Sequence, residues 1–164
     1  MPKVTPFLWF DDQAEEAAEL YVSVFNERPG SSGDSEILGV SRYGEAGPGT
    51  PGSAMTVSLR LEGQEITGLN GGPDHTFTDA FSFFVSCETQ EEVDHFWAAL
   101  TEGGEEGPCG WLTDRYGLSW QIIPTALSDL LGDADPGRSQ RAMQAMLQMR
   151  KIDIAGLRRA AEAA

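Results

Sequence analysis

The apolar residues of the chain fall into two periods, and the sequence runs through them twice in the same order. In "VTPFLWF" (residues 4–10) Thr5, Phe7 and Trp9 lie on one side, and Val4, Pro6, Leu8 and Phe10 on the other. This alternation predicts a strand buried on both sides, and Pro6, which has no N–H to donate, puts it at a sheet edge. The period then changes. In "DDQAEEAAELYVSVF" Ala17, Tyr21, Val24 and Phe25 share one helical face, with Asp11 or Asp12 as the N-cap and acids in the first turn. A loop, "GSSGD", leads to three predicted strands, "SEILGVSRY", "SAMTVSLRL" and "QEITGLNG". The second and third meet at Glu62-Gly63, a tight hairpin signal. Between the first and second lies "GEAGPGTPG" (44–52), whose Gly and Pro content predicts an exposed flap.

After "GGPDHTFTD" (71–79) the order starts again. "AFSFFVSC" reads as a strand, and "TQEEVDHFWAAL" as a helix with a capping box (Thr89 and Glu92) and a stripe of Val93, Phe96, Trp97 and Leu100. "GWLTDRYGLSWQIIP" (110–124) reads as a hairpin in which alternation sends Trp120 with Leu118 and Ile122 to one face, and Gln121 with Ser119 and Ile123 to the other. The acids of "EGGEEG" (102–107) read as a solvated loop. Beyond Pro124 the chain turns helical: Asp135-Pro136 forms an N-cap followed by Pro at the first helical position, and Ile152, Asp153 and Leu157 fit a hydrophobic staple on a last short helix. The expectation is an α+β fold of duplicated βαβββ modules. Module one spans 3–72, module two 79–124, and C-terminal helices 125–162, within one domain over 3–158.

Composition narrows the partners. The 26 acidic residues against 11 basic ones, a net charge of −15, would repel a phosphate backbone or an acidic bilayer surface, so neither nucleic acid nor membrane is an expected partner. No run approaches the ~20 apolar residues of a membrane span, and "MPKVTPFLWFDD" is too short an apolar run, without a small-residue cleavage site, for a signal peptide. The two cysteines, Cys87 and Cys109, have neither the spacing nor the company of a disulfide or zinc framework. A cytoplasmic protein is expected, and the excess of arginine over lysine fits a GC-rich bacterial genome.

"TPFLWFDDQAEEAAELYVSVF", "DAFSFFVSCETQEEVDHFWAALTEGGEEGPCGWLTDRYGLSWQIIPTAL" and "QRAMQAMLQMRKIDIAGL", in that order over about residues 3–158, resemble the PhnB-like proteins catalogued as 3-demethylubiquinone-9 3-methyltransferase homologues. These form a branch of the vicinal oxygen chelate superfamily, with glyoxalase I, extradiol dioxygenases and bleomycin-resistance proteins. The resemblance implies that each module curls its sheet into a half-barrel and that the two enclose one cavity; it also implies a homodimer. Metal-using members place a ligand near the start of the first strand and one on the last strand of each module. Gln121 stands where those relatives carry a ligating Glu. An amide oxygen brings no charge to offset a cation and is a weaker ligand. Thr5 and Ser82 are the polar residues on the two first strands, and only Glu65 or Asn70 is offered by the last strand of module one. A standard metal centre is therefore not expected, and no cofactor is assigned.

Other candidates read as structural. His95 lies on the polar side of its helix. His75, in the loop joining the modules, is the nearer to a cavity mouth. Cys109 has no neighbouring base to lower its pKa. Met143, Met146 and Met149 form a pliable packing surface. Three functions follow. The first is a binding module, holding a small organic molecule in an aromatic-lined cavity through Thr5, Phe7, Trp9, Asn70, Ser82 and Gln121. The second is an enzyme using Glu65, or less favourably Asp114, in acid–base work, or a metal held by Glu65, His75 and water. The third is the methyltransferase of the family label, for which neither "GGPDHTF" nor "GEAGPGTPG" is placed as a methyl-donor turn between strand and helix. Were Phe7, Trp9 and Phe84 to fill the cavity, the protein would work through its surface instead.

Overall fold

The computed structural model describes residues 2–163, which cluster into two compact units, one ending at Phe77 and the other beginning at Thr78. The first contains β1 (Phe7–Phe10), α1 (Ala14–Asn26), β2 (Glu36–Arg42), β3 (Ala54–Leu61) and β4 (Gln64–Asn70), in an open sheet of order β1-β4-β3-β2. The second contains β5 (Ser82–Cys87), α2 (Gln90–Thr101), β6 (Glu105–Glu106), β7 (Trp111–Thr113) and β8 (Ser119–Pro124), in a sheet of order β5-β8-β7-β6. Three helices follow: α3 (Thr125–Leu131), α4 (Pro136–Met146) and α5 (Ile154–Glu162). Each sheet is mixed, with its first and last strands parallel and the rest antiparallel. The βαβββ order is thus repeated, strand for strand.

In the first unit α1 packs across β2, β3 and β4. Leu8, Phe10, Val57, Leu59 and Ile66 are buried beneath it with Ala14, Ala17, Tyr21 and Phe25. Gly68 lets this contact close, since a Cβ there would lie 3.2 Å from the Phe10 ring and 3.3 Å from the Ala14 methyl. β1 begins at Phe7 rather than Val4 and pairs only with β4, the edge position Pro6 predicted. It is not buried on both sides: Phe7 is 60% exposed, because the face turned away from α1 has no helix over it.

The N-cap of α1 is Gln13, not Asp11 or Asp12, and no local side chain caps it. Asn70, at the end of β4, accepts the Ala14 N–H at 2.8 Å instead. The Glu62-Gly63 hairpin is as predicted, with φ of 48° and 88°, the positive values that a two-residue turn of matching twist requires. The 44–52 loop is folded around Tyr43, which is buried and donates from its hydroxyl to the Asn70 carbonyl at 2.5 Å. Gly47 and Gly49 lie against its ring so closely that a Cβ at either would come within 2.6 Å or 2.3 Å of a ring carbon.

In the second unit α2 covers β5, β7 and β8. Val93, Phe96, Trp97 and Leu100 are buried against Val85, Leu112, Trp120 and Ile122. Thr89 caps α2 by accepting the Glu92 N–H, while the Glu92 carboxylate reaches back to the Glu88 N–H, one residue beyond the position a capping box uses. The segment read as a solvated loop contributes β6: Glu105 and Glu106 pair with Thr113 and Leu112. Ile152 and Leu157, the predicted staple, are fully buried with Ile123 and Leu127, and Met146 and Met149 pack against that cluster. Asp135 caps α4 by accepting the Gly137 N–H, as its sequence predicts.

Candidate functional site

Strand register decides which side chains share the face of each sheet turned away from its helix. In the second unit two rows cross that face. Ser82, Ser119, Thr113 and Glu105 are successive partners from β5 to β6, three hydroxyls ending on a carboxylate. Two residues along, Phe84, Gln121 and Trp111 are partners, an amide between two aromatic rings. The rows are joined where Gln121 Nε2 donates to Ser82 Oγ at 3.0 Å. Phe84 is 56% exposed and Gln121 and Trp111 half-buried, so the second row is accessible, whereas Ser119 in the first is buried; Ile123, next on the same face, is buried beneath the C-terminal helices. Trp120 faces α2 instead, fully buried, as alternation predicts, its indole N–H donating to Asp114 at 2.9 Å.

In the first unit the equivalent face carries Phe7, paired with Thr67, and Trp9, paired with Leu69. The Trp9 indole donates to the Gly72 carbonyl at 2.9 Å, and the ring stands edge-on to His75 at 4.6 Å between centroids. Gly71 makes room for it, since a Cβ there would be 2.4 Å from the indole. Thr5 precedes β1 and is half-buried. Asn70, being partnered with Phe10, lies on the helix side, where its oxygen caps α1 and its nitrogen donates to the Ala54 carbonyl at 3.1 Å. It borders a separate cavity of about 570 Å³ with Asp11, Asp12, Glu15, Arg42 and Tyr43. Of the six residues named from sequence, Ser82 and Gln121 touch, Phe7 and Trp9 share a face, Thr5 flanks that face, and Asn70 faces the other way.

Counterpart positions expose a residue the sequence reading missed. Aligning the ends of the two first strands, Phe10 and Cys87, with their matching alternation of exposed and buried residues equates Phe7 with Phe84 and Thr5 with Ser82. Gln121 pairs with Phe84, and the residue pairing with Phe7 is Thr67. Thr67, rather than Glu65 or Asn70, is therefore the first-unit counterpart of Gln121. Counting along β4 from its partner in β1 would have been the signal, and it needs the register.

The remaining candidates have other duties. Glu65 lies in a charged row with Arg60 and Glu36; Arg60 bonds Glu36 at 2.5 Å and reaches Glu65 at 3.7 Å. Asp114 is buried and accepts from the N–H groups of Tyr116 and Leu118 as well as from Trp120, which fixes the turn before β8. His95 is half-buried, not exposed, with its ring 5.4 Å from that of Phe96. Cys109 is half-buried in a left-handed conformation, φ 58°, with its N–H bonded to the Met149 carbonyl. Among the described residues no group of three or more His, Cys, Asp or Glu side chains could hold a metal ion. Thr5, Thr67, Ser82 and Gln121, the residues at or equivalent to the positions where the resemblance implies metal ligands, are all neutral, and such donors do not fit a divalent transition metal.

Residues 2–123 match the model of the family described as 3-demethylubiquinone-9 3-methyltransferase, a span that ends inside β8 and leaves the C-terminal helices outside. Among solved structures, the PhnB protein from Bacillus cereus is 38% identical, covers 75% of this chain and 99% of its own, and superposes with a TM-score of 0.64. Protein PA1353 from Pseudomonas aeruginosa is 17% identical, covering 76% of this chain and 98% of its own at a TM-score of 0.60, and shares the fold alone. A glyoxalase/bleomycin resistance protein from Albidiferax ferrireducens is 17% identical over 73% of this chain and 95% of its own, with a TM-score of 0.44. No match was found among curated proteins.

Proposed function

The chain belongs to the 3-demethylubiquinone-9 3-methyltransferase family, with a fold of the glyoxalase type, and on that premise we propose that it binds a small organic molecule on the helix-free face of its sheets, through aromatic walls and neutral polar groups. The Gln121–Ser82 hydrogen bond carries this reading. The two side chains that occupy ligand positions in metal-using relatives satisfy each other here, flanked by the accessible rings of Phe84 and Trp111. An amide between two rings offers a donor and an acceptor to a flat or partly apolar ligand, and an apolar surface with few convergent polar groups is the usual make-up of a small-molecule site.

Methyl transfer finds no such support. The strand-to-helix turns are Asp11-Asp12-Gln13 and Glu88-Thr89, acidic and without glycine, where a methyl-donor cradle needs close backbone approach. The reading includes a homodimer, since Phe7, Leu38, Phe81 and Phe84 are large apolar side chains left exposed on one chain. A cytoplasmic setting accords with two free cysteines; no helix among the described residues is long and apolar enough to cross a membrane.

Screening a metabolite library against the chain by NMR, observing side-chain amide and indole N–H signals, tests the proposal. The expected hits move Gln121 and Trp111, and Gln121→Leu weakens them by about tenfold, the value of one or two lost hydrogen bonds. Hits that leave Gln121 unmoved and bind the variant equally well would overturn it.

A further inference from the structure

The family match ends at residue 123, and the three helices that follow β8 add no strand to either sheet. They are nevertheless joined to the ligand face. Ile152 and Leu157 close over Ile123, two positions beyond Gln121 on the same side of β8. The turn between β6 and β7, Gly107-Pro108-Cys109-Gly110, is bound to the segment before α5 by two adjacent backbone hydrogen bonds: the Cys109 N–H donates to the Met149 carbonyl and the Gly110 N–H to the Arg150 carbonyl, each at 2.8 Å. The Arg150 guanidinium also donates to the Glu106 carbonyl at 3.3 Å. Gly110, at φ 85°, permits this approach, since a Cβ there would lie 2.8 Å from Ile123 Cδ1 and 3.1 Å from Ile152 Cγ1.

Trp111 is the next residue, and its place depends on that turn. Of the four indoles, those of Trp9, Trp97 and Trp120 donate to Gly72, Glu106 and Asp114. The Trp111 indole N–H makes no hydrogen bond to a described residue, so its ring is placed by its backbone and its packing. The backbone bonds close the turn: the Gly107 N–H donates to the Trp111 carbonyl at 2.8 Å, and the Trp111 N–H to the Pro108 carbonyl at 3.0 Å. The other end of the segment is latched to α2. Gln90 accepts the Ile154 N–H at 2.8 Å and donates to the Ile152 carbonyl at 3.0 Å, and Lys151 pairs with Asp94 at 2.9 Å.

We infer that residues 149–154 are a working part of the ligand face, a clasp that positions Trp111 beside Gln121, with Gln90 as its latch. The inference rests on the proposed binding function and adds what holds one wall of that site. A wall fixed before binding spares a ligand the cost of ordering it. The coupling runs both ways: a ligand resting on Trp111 favours the docked clasp, and a loosened clasp weakens that ligand by the same factor. Gln90 acts through the segment it holds and is a positioning residue, not a ligand contact.

NMR of the full chain, following the four indole N–H signals and hydrogen exchange at the Cys109 and Gly110 amides, tests this. Gln90→Ala removes both bonds of the latch. It is expected to shift the Trp111 indole, leave those of Trp9 and Trp120 in place, and speed exchange at Cys109 and Gly110 about tenfold, as the loss of one or two hydrogen bonds implies. Ile152→Val, a one-methylene loss in the contact with Gly110, should move the same signals less. Asn70→Ala, which uncaps α1 in the first unit, should leave Trp111 unmoved, and so separates positioning from a general loss of stability. Benzamide, whose flat ring and amide match the Phe84–Gln121–Trp111 row, serves as the binding probe; Gln90→Ala should weaken it severalfold and Asn70→Ala should not. A Trp111 signal that stays in place in Gln90→Ala, or moves equally in Asn70→Ala, would overturn the inference and leave the binding function standing. Equal benzamide affinity of the parent and Gln90→Ala would do the same. Benzamide that does not bind the parent would count against the binding function and, with it, the clasp's part in a ligand site.

Discussion

Asn70 illustrates how a single side chain can be misread when only its neighbours in sequence are known. Its polarity and its place at the end of a strand suggest a ligand contact, but its oxygen and nitrogen hold Ala14 and the Ala54 carbonyl, and its own carbonyl accepts from Tyr43. Gln90 does similar work in the second unit, accepting the Ile154 N–H at the start of α5 at 2.8 Å and donating to the Ile152 carbonyl at 3.0 Å. In both cases a helix without its own side-chain cap receives one from a distant amide, 56 residues away for α1 and 64 for α5. Local capping rules inspect the few residues around a helix start, which is why Asp11 and Asp12 were the natural but mistaken choice. Asn70→Ala should cost about 1–3 kcal/mol, the value of a part-buried donor left unmet, as measured by urea denaturation. Unchanged stability would return Asn70 to the candidate ligand contacts. Gln121, by contrast, was legible: strict alternation along "SWQIIP" puts it opposite Trp120, and no long-range information was needed.

Between elements, the contact of α2 with the start of α5 includes a titrating group. Asp94 is held below the usual carboxylate range chiefly by the Gln90 amide at 3.0 Å, then by Lys151 at 2.9 Å, against a smaller opposing effect of burial. A carboxyl whose folded pKa lies below its unfolded value of about 3.9 stabilises the fold above that value, and the contribution is lost as pH falls through the folded pKa. Asp94→Asn should therefore be less stable than the parent at pH 7, by no more than about 1 kcal/mol because both partners are substantially solvent-exposed. The difference should shrink by pH 3, checked by denaturation at the two pH values; a difference that grows on acidification would contradict the assignment. The helices themselves were legible where periodicity runs long, as in α1 and α2, even though the start of α1 was not. The strand β6 was not, because Glu105-Glu106 is two charged residues with no alternation to read, and it is a strand only because Thr113 and Leu112 offer it partners.

At the scale of the whole chain, duplication is what made the fold legible. Two passes of strand, helix and antiparallel strands imply two equivalent sheets, and the register then aligns their positions, Thr5 with Ser82 and Thr67 with Gln121. The site was legible only in part because its membership depends on cross-strand pairing: Ser119, Thr113, Trp111 and Glu105 are brought beside Ser82 and Gln121 by the order β5-β8-β7-β6, which no single segment encodes. The proposed function depends on neutral side chains at these four positions serving an organic ligand instead of a divalent metal. Native mass spectrometry of the full chain purified without added metal, with elemental analysis of the same sample, tests it most directly. The expected result is a dimer without a stoichiometric transition metal, able to retain a small organic molecule. A transition metal bound one to one, and lost on Gln121→Leu, would contradict it.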